Sequence, residues 1–244
     1  MDTELLSGTF VELADTMVAD FDIIDFLHRL TERSVQLLPA SAAGVVLVAP
    51  GGELEVAAAS SDLAGLVELF QIQKDQGPCL DCFRTGRPVT VADLRGPGQP
   101  WPQFAAAATE AGFRTVQAVP MRLRDEVIGA LNLFGTGTVP LSPGDVRIGQ
   151  ALADVATIGL LQERTARRRE IAAEQLQGAL NSRVIIEQAK GKLAERLGLD
   201  MDASFKLLRD HARNSNQRLT DVARQFVETA AADFPPPARR SSRA

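Results

Sequence analysis

Lys206, Arg209 and Arg213 follow one another at i, i+3 and i+7. On a helix that spacing makes a single ridge. Three cations on one ridge can neutralise backbone phosphates and release the counterions condensed around a nucleic acid. Taken alone, such a stripe reads first as a solvated helix face. Upstream, Arg183 and Lys190 lie seven apart and share a side of a preceding helical stretch, with Lys192 close by. Gly191 sits between the two lysines, although glycine inside a helix costs roughly 1 kcal/mol relative to alanine. Without a side chain it lets another backbone come near, either a neighbouring helix or a phosphate. Tight packing by Ala189 and Gly191 is the preferred of these two readings.

A second group is the C-x-x-C of Cys79 and Cys82, the chain's two cysteines. Two thiols make at most half of a tetrahedral zinc site, and the two histidines, His28 and His211, lie far apart in the chain. At a helix start such a pair can have a lowered thiol pKa and act as a redox sensor. Buried, inert thiols are the preferred reading, and no metal or other cofactor is expected. No G-x-x-x-x-G-K-[ST], G-x-S-x-G or H-E-x-x-H occurs, so no enzyme activity is expected. Asp20, Asp22 and Asp25 flank a helix start, where acids favour the dipole.

The elements that must hold these residues differ between the two parts of the chain. Residues 1–163 carry 21 acids and 10 bases, a net −11, whereas residues 164–244 carry 10 acids and 16 bases, a net +6. The two values add to the −5 of all 244 residues. Such a division signals a polyanionic partner for the second part alone, or equally a chance clustering of solvated surface charge. No apolar run approaches the roughly 20 residues of a membrane span, and MDTELLSGTF has acids where a secretory signal carries bases. A cytoplasmic protein without membrane contact is expected.

Two amphipathic helices open the chain, the second capped by Asp22. AAGVVLVAP and ELEVAAAS read as a hairpin reversing at Gly51-Gly52. Then come the helix DLAGLVELFQIQ, a short helix in GPCLDCFRTGRP, the strand PVTVADL and the helix QFAAAATEAGF. Two strands, TVQAVPMRL and EVIGALNLFGT, follow, joined at Arg124-Asp125. Hairpins predominate, so an α+β fold is expected, an antiparallel sheet with flanking helices.

From Asp145 the chain reads as helix for some 50 residues without proline. Ile148, Leu152, Val155, Ile158 and Leu161 would form a coiled-coil seam in this long connector, until ERTARRRE breaks it with polarity on every face. Two short helices complete a three-helix bundle. One is capped by Asp200; the other carries Leu219, Val222, Ala223, Phe226, Val227 and Ala230 as a core stripe. FPPPARRSSRA reads as a disordered tail. The expected organisation is an N-terminal helical segment (1–20), an α+β domain (21–161), a helical linker (162–177), a helical domain (178–230) and a tail (231–244).

The stretch ALNSRVIIEQAKGKLAERLGLD followed by ASFKLLRDHARNSNQRLTDVARQFV resembles the ANTAR domain, an RNA-binding module of transcription antiterminators. GPCLDCFRTGRPVTVADL, GFRTVQAVPMRLRDEVIGALNLF and the helix after SPGD resemble a GAF domain, a small-molecule sensor fold. The pair is similar to an actinobacterial class of one-piece regulators. The resemblance implies an N-terminal GAF-like sheet, a connector helix and a C-terminal ANTAR-like bundle that binds paired RNA stem-loops and hinders a terminator hairpin. It makes RNA the polyanion for Arg183, Lys190, Gly191, Lys192, Lys206, Arg209 and Arg213. Arg213, Asn214, Asn216 and Arg218, between the last two helices, suit contact with unpaired loops. Phe205 and Phe226 read as core rather than as base-stacking platforms. Two hairpins call for two modules, so a homodimer through the connector is expected. The sensor's ligand, if it has one, would lie between the sheet and QIQKDQGPCLDC and WPQFAAAA; its identity is open. The alternatives are a protein-interaction adaptor and a redox-sensing regulator using Cys79 and Cys82.

Overall fold

The computed structural model describes residues 3–16 and 22–228. The chain divides into two compact units, Met1–Thr165 and Ala166–Ala244. The end of the N-terminal helical segment and the FPPPARRSSRA tail lie outside the described residues.

The first unit opens with α1 (Thr3–Thr16) and α2 (Ile23–Leu37). Asp22 caps α2, its carboxylate accepting from the amides of Ile24 at 2.8 Å and Asp25 at 3.2 Å. There follow β1 (Ala42–Val48), β2 (Leu54–Ala59), α3 (Asp62–Lys74), α4 (Pro78–Thr85), β3 (Val89–Val91), α5 (Pro102–Glu110), β4 (Thr115–Leu123) and β5 (Glu126–Gly135). The sheet order is β2-β1-β5-β4-β3, with every pairing antiparallel. The β1–β2 hairpin reverses through Gly52 at φ 90°, and β4–β5 through Arg124 at φ 56°. Both turns are where the sequence places them.

Because side chains alternate along a strand, the sheet has two distinct faces, both covered. On one, Ala43, Val45 and Leu47 of β1, Val119 and Met121 of β4, and Leu131 and Leu133 of β5 meet Leu13, Phe26, Leu27 and Leu30 of α1 and α2. Leu152, Ala153, Ala156 and Leu160, from the start of α6 (Pro143–Leu197), complete this core. The other face is built from smaller residues. Ala42, Val116 and Phe134 pack with α3 and α5 through Ala64, Val67, Phe104 and Ala108. Val46, Ala118 and Ala130 pack under Cys79 and Cys82 of α4.

This corrects one expectation. Leu152 is buried and Ile148, Val155 and Leu161 pack against the same core, so four of the five seam residues line the interior of the first unit, and only Ile158 is exposed. The periodicity is the same in either case. Only the presence of a sheet against it decides between them.

The second unit is helical, formed by the later part of α6 with α7 (Met201–Asn214) and α8 (Leu219–Glu228). Ala189, Leu193, Leu208, Ala212, Val222, Ala223 and Phe226 are its buried core, with Ile186, Leu197, Leu219 and Val227 packed around them. Gly198, at φ 64°, ends α6 in the left-handed conformation that glycine adopts without steric cost. Asp200 then caps α7, accepting from the Ala203 amide at 2.7 Å. Asn216, at φ 53°, closes α7 in the same way, and Gln217 N–H donates back to the Ala212 carbonyl.

Candidate nucleic-acid interface and sensor face

The basic ridge is where the spacing places it. Lys206, Arg209 and Arg213 are exposed on α7, while Leu208 and Ala212, one position from Arg209 and Arg213, turn into the core. Among the described residues none of these three cations takes part in an ion pair or side-chain hydrogen bond. Arg183 is likewise exposed and unpaired, and Asn214, Asn216 and Arg218 are exposed around the turn into α8. Asn216 also has the backbone duty of stopping α7, and the Arg218 carbonyl accepts the amides of Asp221 and Val222 at the start of α8.

The two lysines flanking Gly191 have internal partners. Lys190 Nζ donates to both Glu187 carboxylate oxygens at 2.9 Å and lies 5.5 Å from the centroid of the Phe205 ring. Its side chain is only 15% exposed. It therefore ties α6 to α7 by a cation–π contact. Phe205 is half-buried beneath it and lies outside the buried core, unlike Phe226. Lys192 Nζ donates to the Val227 carbonyl at 2.7 Å, near the C-terminal end of α8, where a cation complements the helix dipole. Two positions along a helix turn through about 200°, which is why the two lysines serve different neighbours rather than one surface.

Gly191 does not fill the packing role expected of it. A Cβ built there would meet nothing within 4 Å. The opening is toward solvent, on the side of α6 away from Ala189 and Leu193. Further along that side are Leu176, Leu180 and Val184, exposed by 64%, 49% and 55%.

In the first unit the two segments expected to line a ligand site are brought together. Trp101 Nε1 donates to Asp81 at 3.1 Å, tying the start of α5 to α4. Beneath α3 and α4 lies a buried polar layer. Gln71 Nε2 donates to Glu68 Oε2 at 3.0 Å, and Gln71 Oε1 accepts from the Cys79 amide at 3.1 Å. Glu68 and Asn132 are fully buried. Burial pushes the Glu68 carboxyl up to about 8, with the facing Asn132 and Gln71 carboxamides pulling it part of the way back. This layer had no signal in the sequence, because Glu68 and Gln71 lie in a helix whose exposed side carries Leu63, Leu66 and Leu69. Those leucines, with Phe70, Ala107 and Ala111, border a groove of about 420 Å³ between α3 and α5.

The thiols are buried, as the preferred reading expected. Burial raises Cys79 well above the ordinary thiol value, the nearby Glu68 adding to it, and burial pushes Cys82 up to about 12. A helix start lowers a thiol pKa only where the thiolate can be solvated or paired. Here neither condition holds, so the thiolate that redox sensing requires is suppressed.

A GAF domain model matches residues 22–160, more than half of the chain, and an ANTAR domain model matches residues 174–227. The chain belongs to the GAF domain family. An ANTAR domain follows its GAF domain. Together they are the parts of an RNA-binding regulator with a sensor module.

No curated protein matches the sequence. Among solved structures, the GAF domain of a phosphoenolpyruvate-protein phosphotransferase from Coxiella burnetii has a TM-score of 0.53 at 15% identity, over 69% of this chain and 99% of that one. Free methionine-R-sulfoxide reductase from Neisseria meningitidis has a TM-score of 0.52 at 16% identity, over 68% and 95%. A GAF domain/HD domain protein from Geobacter sulfurreducens has a TM-score of 0.50 at 19% identity, over 66% and 98%. At such identities the likeness is one of fold. GAF and ANTAR domains are regulatory modules. No described helix is long and apolar enough to cross a membrane.

Proposed function

We propose that this chain is a cytoplasmic, signal-responsive regulator whose ANTAR domain binds paired RNA stem-loops and promotes transcription antitermination. The observation that carries the reading is the ridge of Lys206, Arg209 and Arg213, exposed and without acidic partners in an ANTAR domain. Arg183 and the polar turn of Asn214, Asn216 and Arg218 add donors for phosphates and unpaired bases. Lys190, Gly191 and Lys192 belong to the same domain. The two lysines support the ridge by fixing α7 and α8 against α6, rather than by reaching phosphate first.

The reading includes a homodimer, with its seam moved toward the C-terminal end of α6. Every residue from 166 to 181 is exposed, and a helical stretch of that length without a packed face is marginal in water. Leu176, Leu180 and Val184 offer a second copy an apolar stripe. The groove between α3 and α5 is of a size for a small-molecule input. Binding of a two-hairpin RNA by the intact chain, followed by fluorescence anisotropy, tests the proposal. Equal affinity of the parent and of Lys206→Glu/Arg209→Glu would overturn it.

A further inference from the structure

Among the described residues Glu68 is the one acidic or basic side chain that is buried. It reaches the middle of the sheet because β1 carries no side chain at Gly44, where a Cβ would stand 2.5 Å from Glu68 Oε1. Gly44 is the cross-strand partner of Asn132 on β5, which in turn pairs with Ala118 on β4. Three polar atoms here have no hydrogen-bond partner: Glu68 Oε1, Asn132 Oδ1 and Asn132 Nδ2. Two of them are oxygens. A carboxylate only accepts, so an ionised Glu68 offers the Asn132 oxygen no donor. One proton on Glu68 resolves the mismatch, since an acid and a carboxamide can donate to each other. Full burial without a charged partner favours the protonated acid, against the weaker opposing pull of the two carboxamides.

The acid is also wired to a neighbouring helix. Gln71 holds Glu68 with its amide nitrogen and the Cys79 backbone N–H with its amide oxygen. Gly77, at φ 149° ahead of α4, leaves no room for a side chain against Gln71. The groups facing Glu68 are Gly44 of β1, Asn132 of β5, Gln71 of its own helix and the Cys79 thiol of α4; no charged side chain among the described residues opposes or assists its ionisation.

We propose that Glu68 is a proton-operated latch of the GAF domain. Protonated, it clamps α3 and α4 onto the sheet; on losing its proton to solvent, it leaves the sheet and frees α4. Its departure uncovers a floor of Gly44, Val46, Ala118 and Ala130, residues small enough to leave space behind. This input is independent of the RNA reading, and its test does not involve RNA.

The intact chain, labelled with glutamate carrying ¹³C at the carboxyl carbon, is titrated by NMR. One carboxyl should titrate near pH 8, with its signal missing from Glu68→Gln. In parallel, hydrogen exchange of α4, corrected for the intrinsic effect of pH, should rise about ten-fold or more relative to α2 between pH 7 and 9. Glu68→Gln should remove that rise. The proposal is overturned if no glutamate titrates above pH 7. It is equally overturned if one does while α4 protection stays constant. Should Glu68→Gln not fold, the parent titration and parent exchange decide alone.

Discussion

Replacing the α7 ridge by neutral residues, Lys206→Ala/Arg209→Ala/Arg213→Ala, separates a phosphate interface from a merely solvated face. All three side chains are exposed and unpaired, so their loss removes no contact that holds the domain together. Each phosphate contact contributes about 0.9 to the slope of log affinity against log salt for a duplex and about 0.7 for a single strand. Three contacts therefore contribute about 2.1 to 2.7 to that slope. Over a four-fold rise in salt, from about 50 to about 200 mM, the parent should lose roughly 20- to 40-fold more affinity than the variant. Anisotropy titrations of a labelled two-hairpin RNA at four or five salt concentrations supply both slopes. Melting curves should coincide within about 0.5 kcal/mol, as for surface substitutions generally. Parallel slopes for parent and variant would refute the argument, because the ridge would then touch no phosphate.

Other outcomes follow from particular contacts. Lys192→Ala removes the hydrogen bond to the Val227 carbonyl and should cost the second unit about 0.5–1.5 kcal/mol in denaturant melts, with the salt slope of RNA binding retained. Gly191→Ala should stabilise α6 by up to about 1 kcal/mol, since the added methyl meets open space; a fall in self-association or RNA affinity in the same variant would place a partner's backbone at this point. Leu152→Ala should destabilise the first unit by about 2–5 kcal/mol without changing the oligomeric mass, whereas Leu176→Glu/Leu180→Glu should lower the mass in ultracentrifugation and leave the first unit's melting unchanged. Glu68 prefers its proton in the folded state, its pKa being raised from 4.5 to about 8. Its contribution is therefore complete below about pH 4.5 and is lost as pH rises through about 8, at most roughly 5 kcal/mol in all. Thermal melts from pH 5 to 9 should show that decline in the parent and a flatter profile in Glu68→Gln.

Local chemistry made much of this protein legible before any coordinates. Asp22 and Asp200 cap helices because a short carboxylate before a helical run satisfies amides that have no other partner. The hairpins turn where Gly52 and the Arg124-Asp125 pair allow it, which pairs β1 with β2 and β4 with β5. The i, i+3, i+7 spacing of Lys206, Arg209 and Arg213 set their common ridge. These are properties of neighbours within one or two turns of chain. What lay further apart was decided only by tertiary structure. Ile148, Leu152, Val155 and Leu161 could face a second helix or a sheet, and the sheet's core took them, leaving Ile158 exposed. Lys190 and Lys192 look like equal phosphate ligands in sequence, yet Phe205 engages one and the Val227 carbonyl the other. Gly191 lacks the neighbour that a packing role requires. Glu68 is one acid among many until Gly44, Gln71 and Asn132 enclose it, from positions 24, 3 and 64 residues away. Whether a charge is free, paired or forced neutral depends on atoms that only folding brings near it.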